Sequence, residues 1–497
     1  MSLGQSIRHG AAWLFIGNMG SQALTFIFGI VLARLLAPAD FGMLVTISVF
    51  TGLAGFVSGG GMGQALVRAK EATKQDYDIA FTLQIIIGCL IYASFFFSAP
   101  WFARWYDTPL YSDLLRVSAL SFIFRPFVNL PSNILFRNMR FKAQTGVRIT
   151  TLLLSSAVSI GMAYTGYGVW SLIIGGIVGS AASVLLLAPL AKWRPGWSLD
   201  LRRGRDIARY GFMVSANDIV IYLRSQSSNF VLSRSLGTTS VGLYNKADSL
   251  SHIPFIAISG SVYDPLFRSI AKSADNADLV KYLYLRSIKL ICIYTFPAYV
   301  LLYWLADEII HVLYGAKWAG TAAPMSILVI AGFFMSISHP AGAVLTALNK
   351  LRQELFVSLT SFATVIAALA IGIRYGITGV AWAMVVSYAA VSFHMSLTAS
   401  KAVNIRLADI PRAALPAAYQ GCIIFLVLYL LDTGSHGMIK APIPIILIYG
   451  ITAATTFVLS GVFSPFEDLR QESKKWVGAV MTILKIGKNG AVKTHES

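Results

Sequence analysis

Charge is what this sequence has least of: Asp, Glu, Lys and Arg make up 12% of its 497 residues, about half the share of an average soluble protein. With a mean hydropathy of +0.67, a soluble enzyme is excluded and a bilayer is the expected solvent. Cysteine is scarce as well. Cys89, Cys292 and Cys422 each lie inside an apolar run, with no CxxC pair and no His or Asp at ligand spacing, which excludes a disulfide framework and a thiolate metal site. The seven histidines (His9, His252, His311, His339, His394, His436 and His495) are scattered, with no two at metal-ligand spacing. No HExxH, GxSxG or paired-carboxylate arrangement occurs in a plausible context, and no GxxxxGK[ST] phosphate loop is present, which argues against an enzyme and against an ATP-driven pump. Long polar segments are missing too. The longest are the central linker, residues 268–289 and the tail after Ser464, too short for a soluble catalytic or nucleotide-binding domain. No catalytic residue, metal or cofactor is therefore expected, and the first apolar run is too long for a cleaved signal peptide.

What the sequence does have is apolar runs. Those of roughly 20 residues suit membrane-spanning helices, and about 14 are read: 11–36, 41–62, 79–102, 114–136, 149–164, 169–190, 207–236, 241–267, 288–305, 325–348, 355–373, 380–400, 413–431 and 443–463. The seventh, eighth and tenth stand out least.

The net charge of +18 would suggest nucleic acid in a soluble protein, but its distribution points elsewhere. With alternate loops assigned to opposite sides, 30 Lys and Arg fall in the even loops and termini, 7 in the odd loops and 3 inside spans, out of 40. That asymmetry is the positive-inside pattern, so an even number of spans with both termini cytoplasmic is expected. The densest cluster, 192–209 with Arg194, Arg202, Arg203 and Arg205, suits anionic lipid. In the tail, Trp476, Val480, Ile483 and Leu484 share one side and Lys474, Lys475, Lys485 and Lys488 lie elsewhere, the spacing of a helix lying on the membrane surface.

The chain repeats itself. VLSRSLGTTSVG at 231–242 replays VLARLLAPADFG at 31–42 after two hundred residues, with Val, Leu, Arg, Leu and Gly in register. Gly161, Tyr164, Gly168 and Val169 recur as Gly372, Tyr375, Gly379 and Val380. Two matches in the same order signal an internal duplication. Six spans separate the copies, so both insert with the same orientation, as in parallel repeats. The expected architecture is an all-α integral membrane protein of about 14 helices: an N-terminal lobe at 1–195 (spans 1–6), a C-terminal lobe at 196–405 (spans 7–12), two further spans at 406–465 and a basic amphipathic tail at 466–497.

Helix breakers sit inside these spans: Pro126 and Pro131, Pro254, Pro340, and the run Gly59, Gly60, Gly61 and Gly63. They mark either kinks absorbed by packing or the broken helices of transporters. Ionisable residues are sharper signals, because a charge in mid-bilayer costs several kcal/mol and normally faces a cavity or a partner. Arg125, Arg224 and Lys246 are candidate substrate-binding cations, and Asp218 and Asp248 are candidate coupling acids. Asp218, Tyr222, Ser225 and Asn229 recur at helical spacing as one polar stripe; the repeat maps Asp218 onto Asn18 and Ser225 onto Thr25, so Asn18 and Asn229 join the candidates. Arg224 could instead pair with Asp218 or Asp248, and Lys246 could snorkel to the interface. Arg34 and Arg234, at the ends of matched spans, are read as mouth residues.

LARLLAPADFG after the first span, GGMGQALVR ending the second, ILFRNMRFK after the fourth and LSRSLGTTSVGLYNKADSL across the seventh and eighth resemble the polysaccharide-transporter branch of the multidrug/oligosaccharidyl-lipid/polysaccharide exporter superfamily, the Wzx-like flippases. The resemblance covers nearly the whole chain. It implies 12 to 14 helices in two lobes, a lipid-linked oligosaccharide as cargo between the leaflets of the bacterial inner membrane, and polysaccharide polymerase and export machinery as partners beside membrane lipids. One departure concerns coupling: where the family often has an acid ahead of the Arg of the seventh span, this chain has Ser228 and Asn229, which leaves Asp218 as the nearest substitute. A drug or metabolite antiporter of the same superfamily is the alternative. A membrane glycan polymerase or ligase would need a long outward loop that is absent.

Overall fold

The computed structural model describes residues 3–59, 61–68, 72–434, 441–475 and 478. Every regular element among them is helical, as backbone in hydrocarbon must be when no sheet closes on itself. By packing, the chain divides into two compact units, Met1–Asn245 and Lys246–Ser497. The first contains α1 (Leu3–Leu35), α2 (Pro38–Gly59), α3 (Met62–Arg68), α4 (Lys74–Trp105), α5 (Leu110–Ala119), α6 (Ser121–Arg137), α7 (Phe141–Tyr164), α8 (Val169–Ala191), α9 (Leu201–Ser235) and the start of α10 (Gly237–Ser251). The second contains the rest of α10 and then α11 (Ile253–Lys272), α12 (Ala277–Trp304), α13 (Ala306–Tyr314), α14 (Ala322–Ala347), α15 (Leu351–Gly372), α16 (Gly376–Val403), α17 (Asp409–Gly434) and α18 (Pro442–Val462). The packing boundary at 245 and the repeat boundary near 195 thus cut the chain differently, because α9 packs on α2, α3 and α4.

Among the described residues ten segments are long and apolar enough to cross a membrane, and one of them, Arg352–Val403, holds both α15 and α16. The expected fourth and eighth spans are not single helices. The fourth divides at Leu120 into α5 and α6, and the eighth divides at His252 into α10 and α11, with Pro254 in the first turn of α11, where a missing N–H costs nothing. Hydropathy misses the break at Leu120, which is itself apolar, whereas Asp248, Ser249, Ser251 and Pro254 surround the break at His252. The seventh, α9, starts at Leu201 rather than 207, so Arg202, Arg203, Arg205 and Arg209 are helical. The fifth, α7, starts at Phe141 rather than 149. Residues 268–289, expected outside the spans, belong almost wholly to α11 and α12. Most of the proposed surface helix of the tail, including Trp476, Val480, Ile483 and Leu484, lies outside the described residues.

The duplication is visible in backbone geometry. Met139 after α6 and Asn349 after α14, 210 positions apart, both take left-handed φ, +54° and +57°. The turns around them repeat bond for bond: Met139 N donates to Phe136 O and Arg140 N to Leu135 O, as Asn349 N donates to Thr346 O and Lys350 N to Leu345 O. The next residue in each copy is basic and caps a later helix. Arg140 donates to Leu190 O at 2.6 Å at the end of α8, and Lys350 Nζ to Ala402 O at 3.4 Å at the end of α16. Cations suit helix C-termini, where carbonyls lack partners and the dipole is negative.

The matched motifs also touch each other inside the first unit. A Cβ on Gly42 would overlap the Thr238 carbonyl oxygen and lie 2.6 Å from its carbon, and a Cβ on Gly242 would overlap the Pro38 oxygen and lie 2.8 Å from its carbon. Pro38 and Thr238, like Gly42 and Gly242, are two hundred residues apart, so α2 and α10 cross through a reciprocal contact between equivalent residues. Bare glycines at a helix crossing let backbones approach in place of the hydrophobic drive that lipid cannot supply.

In the second unit the segment after α18 is tied to α12. Asp468 accepts hydrogen bonds from Arg286 (2.5 Å) and Lys289, and Glu472 accepts from Arg286 (3.3 Å), Tyr294 (2.8 Å) and Lys475 (2.8 Å), while Leu469 is buried in the core. Burial works against the Glu472 carboxylate, but Lys475, Tyr294 and Arg286 together outweigh it and lower its pKa. A depressed carboxylate stabilises the docked state at pH values above the unfolded glutamate pKa of about 4.3 and loses that contribution as pH falls through the folded value. Hydrogen exchange should therefore show the 466–475 segment protected at neutral pH and opening below about pH 4. In Glu472→Gln, protection at pH 7 should fall and the acid dependence should flatten.

Candidate functional site

α6 carries a polar side chain on every fourth residue, and each meets α2 or α3. Arg125 donates to Gly55 O at 3.0 Å, Asn129 presses on Gly59 and Asn133 on Gly63, and Arg137 donates to Leu66 O. The glycines leave room for side chains that would otherwise be expelled from an apolar interface. Arg125 also lies over the Phe122 ring, 4.9 Å from its centroid. One edge of its guanidinium is thus fixed, which aims the remainder into a cavity of about 430 Å³.

Four helices of the first unit line that cavity: α1 gives Ser21 and Thr25, α6 gives Ser121, Arg125 and Asn129, α7 gives Arg148, Thr151 and Ser155, and α8 gives Gly176, Gly179, Ser180 and Ser183. Arg148 is held by Asn18, whose Oδ1 accepts from Nη1 at 2.5 Å. Two guanidiniums therefore converge on one cavity, and none of its lining residues is acidic. The hydroxyls are oriented too. Thr25 donates to Ser21 O (2.7 Å), Ser180 to Gly176 O (3.0 Å), Ser183 to Gly179 O (2.9 Å) and Thr151 to Arg148 O (3.1 Å). With their protons spent on their own helices, they offer lone pairs. The cavity can hold an anion by charge and bidentate hydrogen bonds and accept hydrogen bonds from a hydroxyl-rich ligand.

Of the candidate residues, the structure brings Arg125 and, through Arg148, Asn18 to this cavity. The others lie elsewhere. From the stripe on α9, Tyr222 reaches α2 and donates to Ser48 O (2.7 Å) and Val49 O (3.2 Å), while Asn229, 7% exposed, donates within α9 to Gln226 Oε1 at 2.9 Å. Asp218 and Arg224 form no ion pair with each other among the described residues, and in the second unit the Asp248 carboxylate stands 3.5 Å from His252 Nδ1. Lys246 lies over the Tyr314 ring, 5.4 Å from its centroid. Arg34 and Arg234 occupy the last turns of α1 and α9. Arg148 and the α8 hydroxyls were not among the candidates. Counting the fifth span from 149 left Arg148 in a loop, whereas α7 begins at Phe141 and carries it two turns inside. The signal available was the amphipathic stretch FKAQTGVR ahead of the apolar run.

A family model described as "Polysaccharide biosynthesis protein" matches residues 31–323. The chain is 24% identical over 366 residues to the lipopolysaccharide biosynthesis protein WzxC of Escherichia coli (strain K12), covering 73% of this chain and 74% of that protein. It is 23% identical over 351 residues to the teichuronic acid biosynthesis protein TuaB of Bacillus subtilis (strain 168), covering 70% and 73%. Among solved structures, the lipid II flippase MurJ in an inward closed conformation superposes with a TM-score of 0.73 at 16% identity, over 90% of this chain and 98% of that one, which establishes a shared fold. Matched over more than half its length, this multi-pass membrane protein belongs to the polysaccharide biosynthesis protein family.

Proposed function

We propose that the protein is a flippase that moves a polyprenyl-diphosphate-linked oligosaccharide from the inner to the outer leaflet of the bacterial inner membrane by alternating access, with both termini cytoplasmic and the product passed to polymerase and export machinery. The observation that carries this reading is the cavity of the first unit that gathers Arg125 and Arg148 without a carboxylate. A diphosphate cannot cross about 30 Å of hydrocarbon unaided; it needs a wet, cationic path, while its polyprenyl tail stays in lipid. Hydroxyl acceptors beside the cations suit the sugars that follow the phosphates. A cationic drug as cargo would want carboxylates there, so the antiporter alternative is disfavoured. Arg224 and Lys246 remain proposed contacts elsewhere on the path, Asp218 and Asp248 proposed coupling acids, and Arg34 and Arg234 mouth residues that steer the anionic head group.

The test is translocation of a fluorescent undecaprenyl-diphosphate-linked oligosaccharide in proteoliposomes, normalised to inserted protein. A charge-assisted hydrogen bond is worth about 1.5–3 kcal/mol, roughly ten- to a hundredfold. Arg148→Ala should lower the rate by at least tenfold, Arg148→Lys should keep part of it, and the double Arg125→Ala/Arg148→Ala variant should be inactive. Normal rates in the double variant would remove the cavity from the transport path.

A further inference from the structure

We propose that the Ser21 hydroxyl is a third donor to the anion gathered by Arg125 and Arg148, and that it is left unpaired in the empty cavity so that only the ligand satisfies it. The proposal rests on the flippase reading for the identity of that anion, a diphosphate.

An anion is bound by donors, and Thr25, Thr151, Ser180 and Ser183 have spent their protons on carbonyls of their own helices. Ser21 differs from them. It lines the cavity, yet it is only 2% exposed and its Oγ has no hydrogen-bond partner. A serine inside a helix can close onto the carbonyl four residues back, as Thr25 does onto Ser21 O and Thr46 onto Gly42 O. The hydroxyl of Ser21 leaves the Gly17 carbonyl unused. A buried hydroxyl without a partner is destabilising, and a phosphate oxygen in the cavity would remove that penalty.

The fold places this hydroxyl beside a cation. Asn18, which holds Arg148, precedes Ser21 by three residues, so the two share a face of α1. At the turn before, a Cβ on Gly17 would lie 2.4 Å from Thr145 Cγ2, so α1 and α7 approach closely there. Ser21 of α1, Arg125 of α6 and Arg148 of α7 thus bring donors to one cavity from three helices. Among the described residues the other serine and threonine hydroxyls that are buried without a partner, those of Ser58 and Thr321, do not line it.

The test uses the opposite signs that binding and packing predict. Deleting an orphaned hydroxyl is neutral or stabilising while no ligand is present, and it removes one hydrogen bond to a charged group once the ligand is bound. The full chain in nanodiscs is melted against increasing undecaprenyl diphosphate and, in parallel, inorganic pyrophosphate; each should raise the wild-type midpoint. Without ligand, Ser21→Ala should melt at or above the wild type. Its half-saturating concentration for either probe should be at least about tenfold higher, and Thr321→Val, which deletes an orphaned hydroxyl in the second unit, should leave that concentration unchanged. A Ser21→Ala variant that binds as tightly as the wild type, or that melts lower without ligand, overturns the role of Ser21 and leaves the flippase reading intact. An equal loss of affinity in Thr321→Val also overturns that role. Stabilisation of the wild type by pyrophosphate alone, with the tenfold loss in Ser21→Ala, overturns the flippase reading and leaves Ser21 as a ligand of a free anion. Stabilisation by neither probe overturns both.

Discussion

Gly42→Leu should leave less than about a tenth of the wild-type yield of monodisperse, membrane-inserted protein, and Gly242→Leu should do the same. Overpacking a core with side chains costs about 1–3 kcal/mol because rotamers and neighbours can yield. Here the obstacle at each glycine is a backbone carbonyl in the first turn of a helix, Thr238 for Gly42 and Pro38 for Gly242. Relief would require moving α2 or α10 as a body, and the cost should exceed the upper end of that range. Alanine should be intermediate at both sites, because even its Cβ overlaps the opposing oxygen. Gly20→Ala is the control: a Cβ there meets nothing within 4 Å, and alanine is the better helix former by about 1 kcal/mol, so yield should hold or rise. Size-exclusion profiles of detergent-solubilised fusions report both outcomes. Wild-type yield from Gly42→Leu would mean that the two motifs do not cross as described.

That contact shows where sequence reasoning succeeds. Repeated letters at a fixed offset expose a duplication because each copy must build the same backbone, and the left-handed turns at Met139 and Asn349 are that identity in coordinates. Apolar runs expose the fold class because lipid admits few alternatives. The same patterns do not report what a face meets. Asp218, Tyr222, Ser225 and Asn229 share a face of α9 as their spacing requires, and spacing alone does not tell that Tyr222 donates to the α2 backbone at Ser48. Arg125 was legible as a charge in an apolar run, but its partner Arg148 was not, since hydropathy begins a span where charges stop and α7 begins two turns earlier. The break at Leu120 is equally hidden, because a helix can end between apolar residues without any change in composition, whereas the break at His252 is marked by Pro254.

The cavity can be tested without touching a charge, through two adjacent glycines of α8 that face opposite ways. A Cβ on Gly175 would overlap Ser159 Oγ and lie 3.0 Å from the Ser155 carbonyl oxygen, whereas a Cβ on Gly176 meets nothing within 4 Å and enters the cavity. Gly175→Leu should therefore fail at folding, with yield reduced as for Gly42→Leu, because α7 and α8 pack through that position. Gly176→Leu should insert and purify like the wild type, since leucine is a good helix former and finds open space, yet it fills part of a cavity of about 430 Å³ in front of Arg125 and Arg148. Translocation of the lipid-linked probe should fall at least tenfold per inserted molecule, the same scale as removing one guanidinium contact. Gly176→Ala, which adds one methyl group, should retain most activity, so the loss should grade with side-chain volume. If Gly176→Leu folds and transports normally, the cargo does not pass through this cavity, and the two arginines serve the packing of α6 and α7 instead.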